Sequence, residues 1–487
     1  MGPCGGKEGR LIGRRRDLPE SSFFDPSSGL GHRAGSSALR KWIDLLSSGL
    51  ILNDKSDKIP EARGIIDMPK AKSLKEAYNN LVVEPLESEE EFRDFYVERP
   101  ARAPSPIEEL RDRIDISERK EKYLFLGFRG SGKSTELNRL LDMIDPDRFL
   151  VVSYSIRDQL NVSDFDFRDF FVSMALMIYD RAEVDGVKLN RDIEEDFKDF
   201  VKRITKVEED EVSGSRAAGI SLTLAKVLLL KLGREAKTRE YVRKELEMQI
   251  SDLIQRLNWL IVDVEDKTKK KLVVIVDDLD KLTRVEQAEE FFYKNYELLS
   301  QPSCFVIYTF PIPLTFNPYF ENVRPAFDDA IILPQLPVIN RDGSINETNL
   351  GFYRDVVRKR MEDHLIDDAV LDEAILSTGK LSEFVSIMRD ATIKAYRNKR
   401  EKIAKEDVDS ALEKLRRTYD RTLTEAHKRR AMEIHESKEA RDLDKDDGIS
   451  RELLFSLTAV EYEDENGRWC DVDPLLLPLV EKWKMRE

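Results

Sequence analysis

The stretch "YLFLGFRGSGKSTELNRL", residues 123–140, decides the fold. Its opening, YLFLGF, is a short apolar and aromatic run of the kind found in strands buried on both faces. A glycine-punctuated loop follows and closes in Lys-Ser-Thr, after which Leu137, Leu140 and Leu141 set a helical repeat. The loop has the spacing Gly-x-x-x-x-Gly-Lys-Ser: Gly127 and Gly132 frame it, Gly130 lies between them, and Lys133 and Ser134 close it. Glycines let the backbone curl so that successive amide hydrogens point at phosphate oxygens, and the following helix adds its positive end. Gly127, Arg129, Gly130, Ser131, Gly132, Lys133, Ser134 and Thr135 are therefore expected to hold a nucleoside triphosphate. Lys133 would reach the β and γ phosphates and Ser134 would ligate Mg2+.

Such a loop needs an acidic partner to position the cation and a water. The run "VVIVDDLDKL" puts Asp277 and Asp278 at the carboxyl end of an apolar strand, where ligands of parallel sheets sit. Asp277 is expected to hold Mg2+ through water and Asp278 to polarise the attacking water. Asp280, which precedes "KLTRVEQAEEFF", reads as a cap of the next helix.

Four further apolar runs, at 149, 271, 304 and 330, have strand-like cores and are separated by helical stretches. That alternation predicts an α/β fold with a parallel sheet flanked by helices. Domain boundaries follow the changes in pattern. Residues 1–60, rich in Gly, Ser and Arg, read as a disordered extension. Residues 61–348 form the nucleotide-binding core, with lead-in helices broken at Pro85 and a helical insertion at 160–270. Within the insertion, Val242, Leu246, Ile250, Leu253, Leu257 and Ile261 recur every three or four residues and predict one long amphipathic helix that packs structurally. Residues 349–437 read as a helical lid, and 438–487 as a tail with a β-hairpin turning at "ENG".

Composition limits the function. A formal net charge of −15 argues against a surface that binds nucleic acid throughout, because phosphate contacts need concentrated Lys and Arg. The basic stretches "YRNKREKIAK" and "HKRR" are interleaved with acids and read as solvated helix faces. Cys4, Cys304 and Cys470 lack metal spacing, which suits a reducing, cytoplasmic compartment. The apolar stretch at 217–233 is too short for a membrane span and carries Lys226 and Lys231.

With these two motifs, the chain resembles P-loop ATPases of the AAA+ and STAND groups over residues 75–480. "GFRGSGKSTELNRL" with "VVIVDDLDKL" is similar to prokaryotic AAA-family ATPases, and the Asp-Asp-Leu-Asp run is similar to KAP-type NTPases. The resemblance implies ATP as the nucleotide and a sheet ordered 5-1-4-3-2. It also implies a polar sensor on the strand between the two motif strands, at Thr309, and an arginine reaching a neighbouring subunit's nucleotide, at Arg324. Thr309 reads nearly as well as an ordinary strand-end threonine, and Arg324 reads more readily as a surface arginine. The helical lid implied by the family departs from its pattern: the usual arginine position falls near Ser382 or Glu383, and Arg389 lies a turn or more later. The tail resembles a winged helix.

The expected activity is Mg2+-dependent ATP hydrolysis, with the ATP and ADP states switching the lid, tail and insertion. For the output, a signalling or defence switch that engages a protein partner or a second copy of the chain stands ahead of a DNA-binding loader resembling origin-recognition ATPases, because the chain is acidic. A nucleotide-binding scaffold without turnover is the third reading.

Overall fold

The five apolar runs are the five strands of one sheet: β1 (Lys122–Gly127), β2 (Phe149–Ser155), β3 (Lys271–Asp277), β4 (Phe305–Pro311) and β5 (Asp329–Ile332). All neighbours pair in parallel in the order β2-β3-β4-β1-β5, the 5-1-4-3-2 order expected above read from the opposite edge. The structure is a computed structural model, and it describes residues 69–100, 105–206, 223–282, 284–439 and 448–485. The extension at 1–60 lies outside the described residues.

Side chains alternate along each strand, and the two faces bury different partners. Tyr123, Phe125, Val273, Ile275, Phe305 and Ile307 share one core with α1 (Pro106–Ile116) and α2 (Lys133–Met143). Leu124, Leu126, Val274, Val276, Val306 and Tyr308 face the other core, built from the helices inserted between β2 and β3. Because both faces are covered, the central strands β1 and β4 are buried along their whole length.

The insertion contains α3 (Phe167–Val184), buried nearly all round, then α4 (Leu224–Arg234), α5 (Ala236–Leu246) and α6 (Ile250–Thr268). The single long helix expected over 242–261 is therefore two helices, broken at Glu247–Gln249, with Met248 90% exposed at the break. Each half has its own anchor. Arg239 and Arg243 on α5 bind Asp164, and Arg243 also binds Asp169, while α6 leads directly into β3. The stretch read at 217–233 is helical over Leu224–Arg234, with Ala225, Leu228, Leu229 and Leu232 buried. Among the described residues, no helix is long and apolar enough to cross a membrane.

Beyond β5 the described chain is helical through α7 (Leu381–Arg397) to Ser437. It ends with α8 (Gly448–Phe455), the antiparallel hairpin β6 (Ala459–Asp464) and β7 (Gly467–Val472), and a last helix, Leu477–Lys484. Gly467, at φ +107, supplies the left-handed residue of the "ENG" turn.

Candidate functional site

β4 lies between β1 and β3, so the glycine loop and the acidic turn leave strands about 10 Å apart, twice the inter-strand spacing. The register Gly127↔Pro311 and Val276↔Tyr308 brings both to the carboxyl edge of the sheet. The loop curls through two left-handed glycines, Gly130 at φ +77 and Gly132 at φ +99, and enters α2 without any side chain capping its first turn. An uncapped helix start behind such a loop is suited to an anion.

The Lys133 ammonium is buried, 4% exposed, and lies among three oxygens. It donates to the Gly127 carbonyl at 2.7 Å and the Phe128 carbonyl at 2.9 Å, and it pairs with Asp280 Oδ2 at 2.8 Å. Asp280 thus faces the loop lysine and does not cap the next helix, whose N-cap is Arg284. It sits in a 3-10 turn, Leu279–Lys281.

The other two acids have separate anchors. Asp278, held at φ +68, accepts from the Ser155 hydroxyl at 2.8 Å and pairs with Lys281 at 2.5 Å. Asp277 accepts from the Asp278 amide at 2.6 Å and from the Ser134 hydroxyl. Burial, reinforced by the Asp278 and Asp280 carboxylates, pushes Asp277 up to about 6 against those two hydrogen bonds. One oxygen from each of Asp277, Asp278 and Asp280 lies within 4.8 Å of the others. With the Ser134 hydroxyl beside them the donor set is all oxygen, as Mg2+ prefers, and Asp280 Oδ1 is a buried acceptor without a hydrogen-bond donor. These residues fit the ion.

The remaining expected residues divide by position. Thr309 is fully buried on β4; its hydroxyl accepts from the Leu279 amide at 3.0 Å and lies 3.4 Å from the Val276 carbonyl, so it pins the acidic turn. Arg129 donates to the Asp280 and Leu282 carbonyls, and its guanidinium lies 4.7 Å from the Phe455 ring. The Thr135 hydroxyl accepts from the Leu86 amide, which docks the lead-in segment on α2. Ser131 is buried in the loop, and Arg324 is exposed in the turn just before β5. Arg389, on α7, donates to the Tyr78 carbonyl and stacks on the Tyr78 ring, away from the loop.

Two contacts at the site escaped the reading of the sequence. The Ser382 amide, at the start of α7, donates to the Gly130 carbonyl at 3.1 Å, so α7 rests directly on the glycine loop. A β-carbon on Gly130 would lie 1.9 Å from the Ser382 hydroxyl. Arg99, from the proline-rich connector, bridges the Ser131 and Pro334 carbonyls. No local pattern marks either residue. Asp280 was visible as the third acid of its run, but only the fold brings it to Lys133. Phe455 and Leu457 of the tail close over the same loop, and the cavity left between them and Asp280 is about 10 Å³, room for about one water.

No protein-family profile and no curated protein matches the chain. Among solved structures it is similar to the Aeropyrum pernix ORC1 protein in complex with DNA, at 13% identity over 83% of this chain and 98% of that one, with a TM-score of 0.37. It is also similar to Cdc6p from Pyrobaculum aerophilum, at 13% identity over 81% and 98% with a TM-score of 0.33. A third is the Thermotoga maritima RuvB Holliday junction branch migration motor, at 12% identity over 50% and 94% with a TM-score of 0.23.

Proposed function

We propose that the chain is a Mg2+-dependent ATPase that uses its nucleotide state as a conformational switch. The observation that carries this reading is the convergence of Lys133, Ser134 and three carboxylates at the mouth of a left-handed glycine loop opening a helix. Lys133 would hold the terminal phosphates, and Ser134 with Asp277 would hold the cation, which supplies charge neutralisation at the transferred phosphoryl group. Asp278 would orient the attacking water, with Ser155 and Lys281 setting its carboxylate. Positioning and charge stabilisation account for most of the rate in such chemistry. Arg324 would act on a neighbouring subunit's nucleotide.

The switch follows from the cover on the loop. Nucleotide-sized pockets run to about 300 Å³ or more, so ATP enters only when α7 and the tail lift from Gly130 and Arg129. Binding energy is thereby coupled to the position of the lid and tail.

Two outputs remain, and each has observations in its favour. A partner-protein switch of signalling type suits the charge of −15 and the pairing of basic lid and tail side chains, such as Lys428 with Glu425 and Lys438 with Asp471. A DNA-linked ATPase suits the tail, in which helices Glu425–Ser437 and α8 lead into the β6–β7 hairpin, the order of a winged helix. Phosphate release from ATP, measured with and without duplex DNA alongside particle mass by light scattering, separates them. Turnover that rises with assembly and ignores DNA supports the partner switch, and stimulation by DNA supports the second reading. No turnover in any assembled form would overturn both and leave a scaffold.

A further inference from the structure

We propose that Asp280 is an exchange residue: it occupies Lys133 in place of phosphate and turns to the divalent cation when the triphosphate takes Lys133, so that nucleotide binding is strictly coupled to the cation. This rests on the ATPase reading above and assigns a role to an acid which that reading leaves without one.

The argument starts from the donors of Lys133. An ammonium has three; here two go to loop carbonyls, and the charge is paired with Asp280 Oδ2 at 2.8 Å. A phosphate oxygen that approaches Lys133 competes with one of these three oxygens. The carbonyls of Gly127 and Phe128 are fixed by the loop backbone itself, whereas the Asp280 carboxylate is an anion on a side chain and occupies the position a phosphate oxygen would take. Lys133 therefore exchanges one anion for another.

Of the three acids, Asp280 is also the most loosely held. Asp277 has Ser134 and a backbone amide, and Asp278 has Ser155 and Lys281. Asp280 has only the ion pair with Lys133, and neither of its buried oxygens accepts a hydrogen bond. Its backbone stays in place after the exchange, because Arg129 holds the Asp280 and Leu282 carbonyls and Thr309 holds the Leu279 amide. Only the side chain is left to move.

Asp280 is 2% exposed, so a displaced carboxylate cannot reach water. A buried charge that loses its partner is strongly unfavourable. One replacement lies within reach: a cation among the oxygens of Asp277, Asp278 and Asp280, which already approach within 4.8 Å of one another. Metal-free ATP would strand Asp280, and ATP with its cation would not. The same logic runs in reverse, since a cation without nucleotide must compete with Lys133 for Asp280.

The test measures binding rather than turnover. Affinity for a fluorescent ATP analogue is read in excess Mg2+ and in EDTA for the wild type, Asp280→Asn and Lys133→Ala. The wild type is expected to bind at least ~30-fold more weakly in EDTA, a factor within the range for an unpaired buried group. Asp280→Asn should lose most of that ratio by binding better in EDTA. If Asp280→Asn keeps the wild-type ratio while Lys133→Ala loses binding, the exchange is overturned and the phosphate loop stands. If Lys133→Ala binds as the wild type does, the ATPase reading itself falls. A second measurement guards against a misfolded Asp280→Asn: Mn2+ binding without nucleotide, followed by electron paramagnetic resonance. Lys133→Gln, which frees Asp280, should bind Mn2+ about tenfold tighter than the wild type, and equal binding overturns the proposal.

Discussion

Replacing Thr309 by valine keeps the shape of the side chain and deletes only its hydroxyl, which accepts from the Leu279 amide at 3.0 Å. Neither Thr309 nor Leu279 has exposed surface, so the freed amide finds no water. A buried donor left unpaired costs about 1–3 kcal/mol. Thr309→Ser keeps the hydroxyl and removes one methyl, worth about 0.8 kcal/mol. Urea unfolding should therefore rank the wild type first, Thr309→Ser close behind and Thr309→Val clearly last. The loss has a functional arm. Leu279 begins the turn that sets Asp278 at φ +68 and Asp280 against Lys133, so loosening it misplaces both acids while leaving the glycine loop intact. Thr309→Val should keep nucleotide binding in Mg2+ and lose turnover, by as much as ~100-fold for a misplacement near 1 Å. If Thr309→Val unfolds and turns over as Thr309→Ser does, the hydroxyl does not pin the turn and the reasoning fails.

Three other outcomes follow from the same geometry. Lys133→Ala should cost about 3–5 kcal/mol in unfolding measurements, because it leaves Asp280 buried and unpaired, and adding Asp280→Asn should recover much of the loss; additive effects in that double-mutant cycle would refute the pairing. Glu383, near the start of α7, is pushed from its usual 4.5 up to about 7, first by burial and then by Asp473, despite the attraction of Lys380. A carboxyl raised in this way holds its proton longer in the folded chain than in the unfolded one, so stability should fall as pH rises from about 4.5 to 7. Glu383→Gln should flatten that slope in thermal melts, and an unchanged slope would assign it to other groups. Arg324→Ala subunits mixed with wild type should depress hydrolysis more than dilution does, and a linear dependence on the mixing ratio would remove its role in trans.

Much of the fold is legible in short stretches, since β1 through β5 coincide with apolar runs whose length and flanking turns are local properties. The phosphate loop is legible for the same reason: a left-handed Gly130 and Gly132 between a strand and a helix need only their immediate neighbours. Other expectations met longer-range forces. The stripe from Val242 to Ile261 reads as one helix, yet α5 and α6 separate because Arg239 and Arg243 are held by acids before and within α3. Asp280 reads as a helix cap because its neighbours suit one, whereas the buried Lys133 ammonium, at the start of the helix that follows β1, two positions from β3 in the sheet, claims it.

The sequence by itself determined which segments become strands, where the glycine loop opens into α2, and that acids stand at the end of β3. Those follow from backbone sterics and from apolar periodicity, which act over a few residues. Tertiary structure decided which acid meets Lys133, that Ser382 of α7 rests on Gly130, that Arg99 bridges Ser131 to Pro334, and that Phe455 closes the loop against Arg129. Each of those contacts joins segments remote in the chain. Their approach is set by the sheet order and by the packing of lid and tail, and neither distance nor partner is encoded in the local pattern around any one of them.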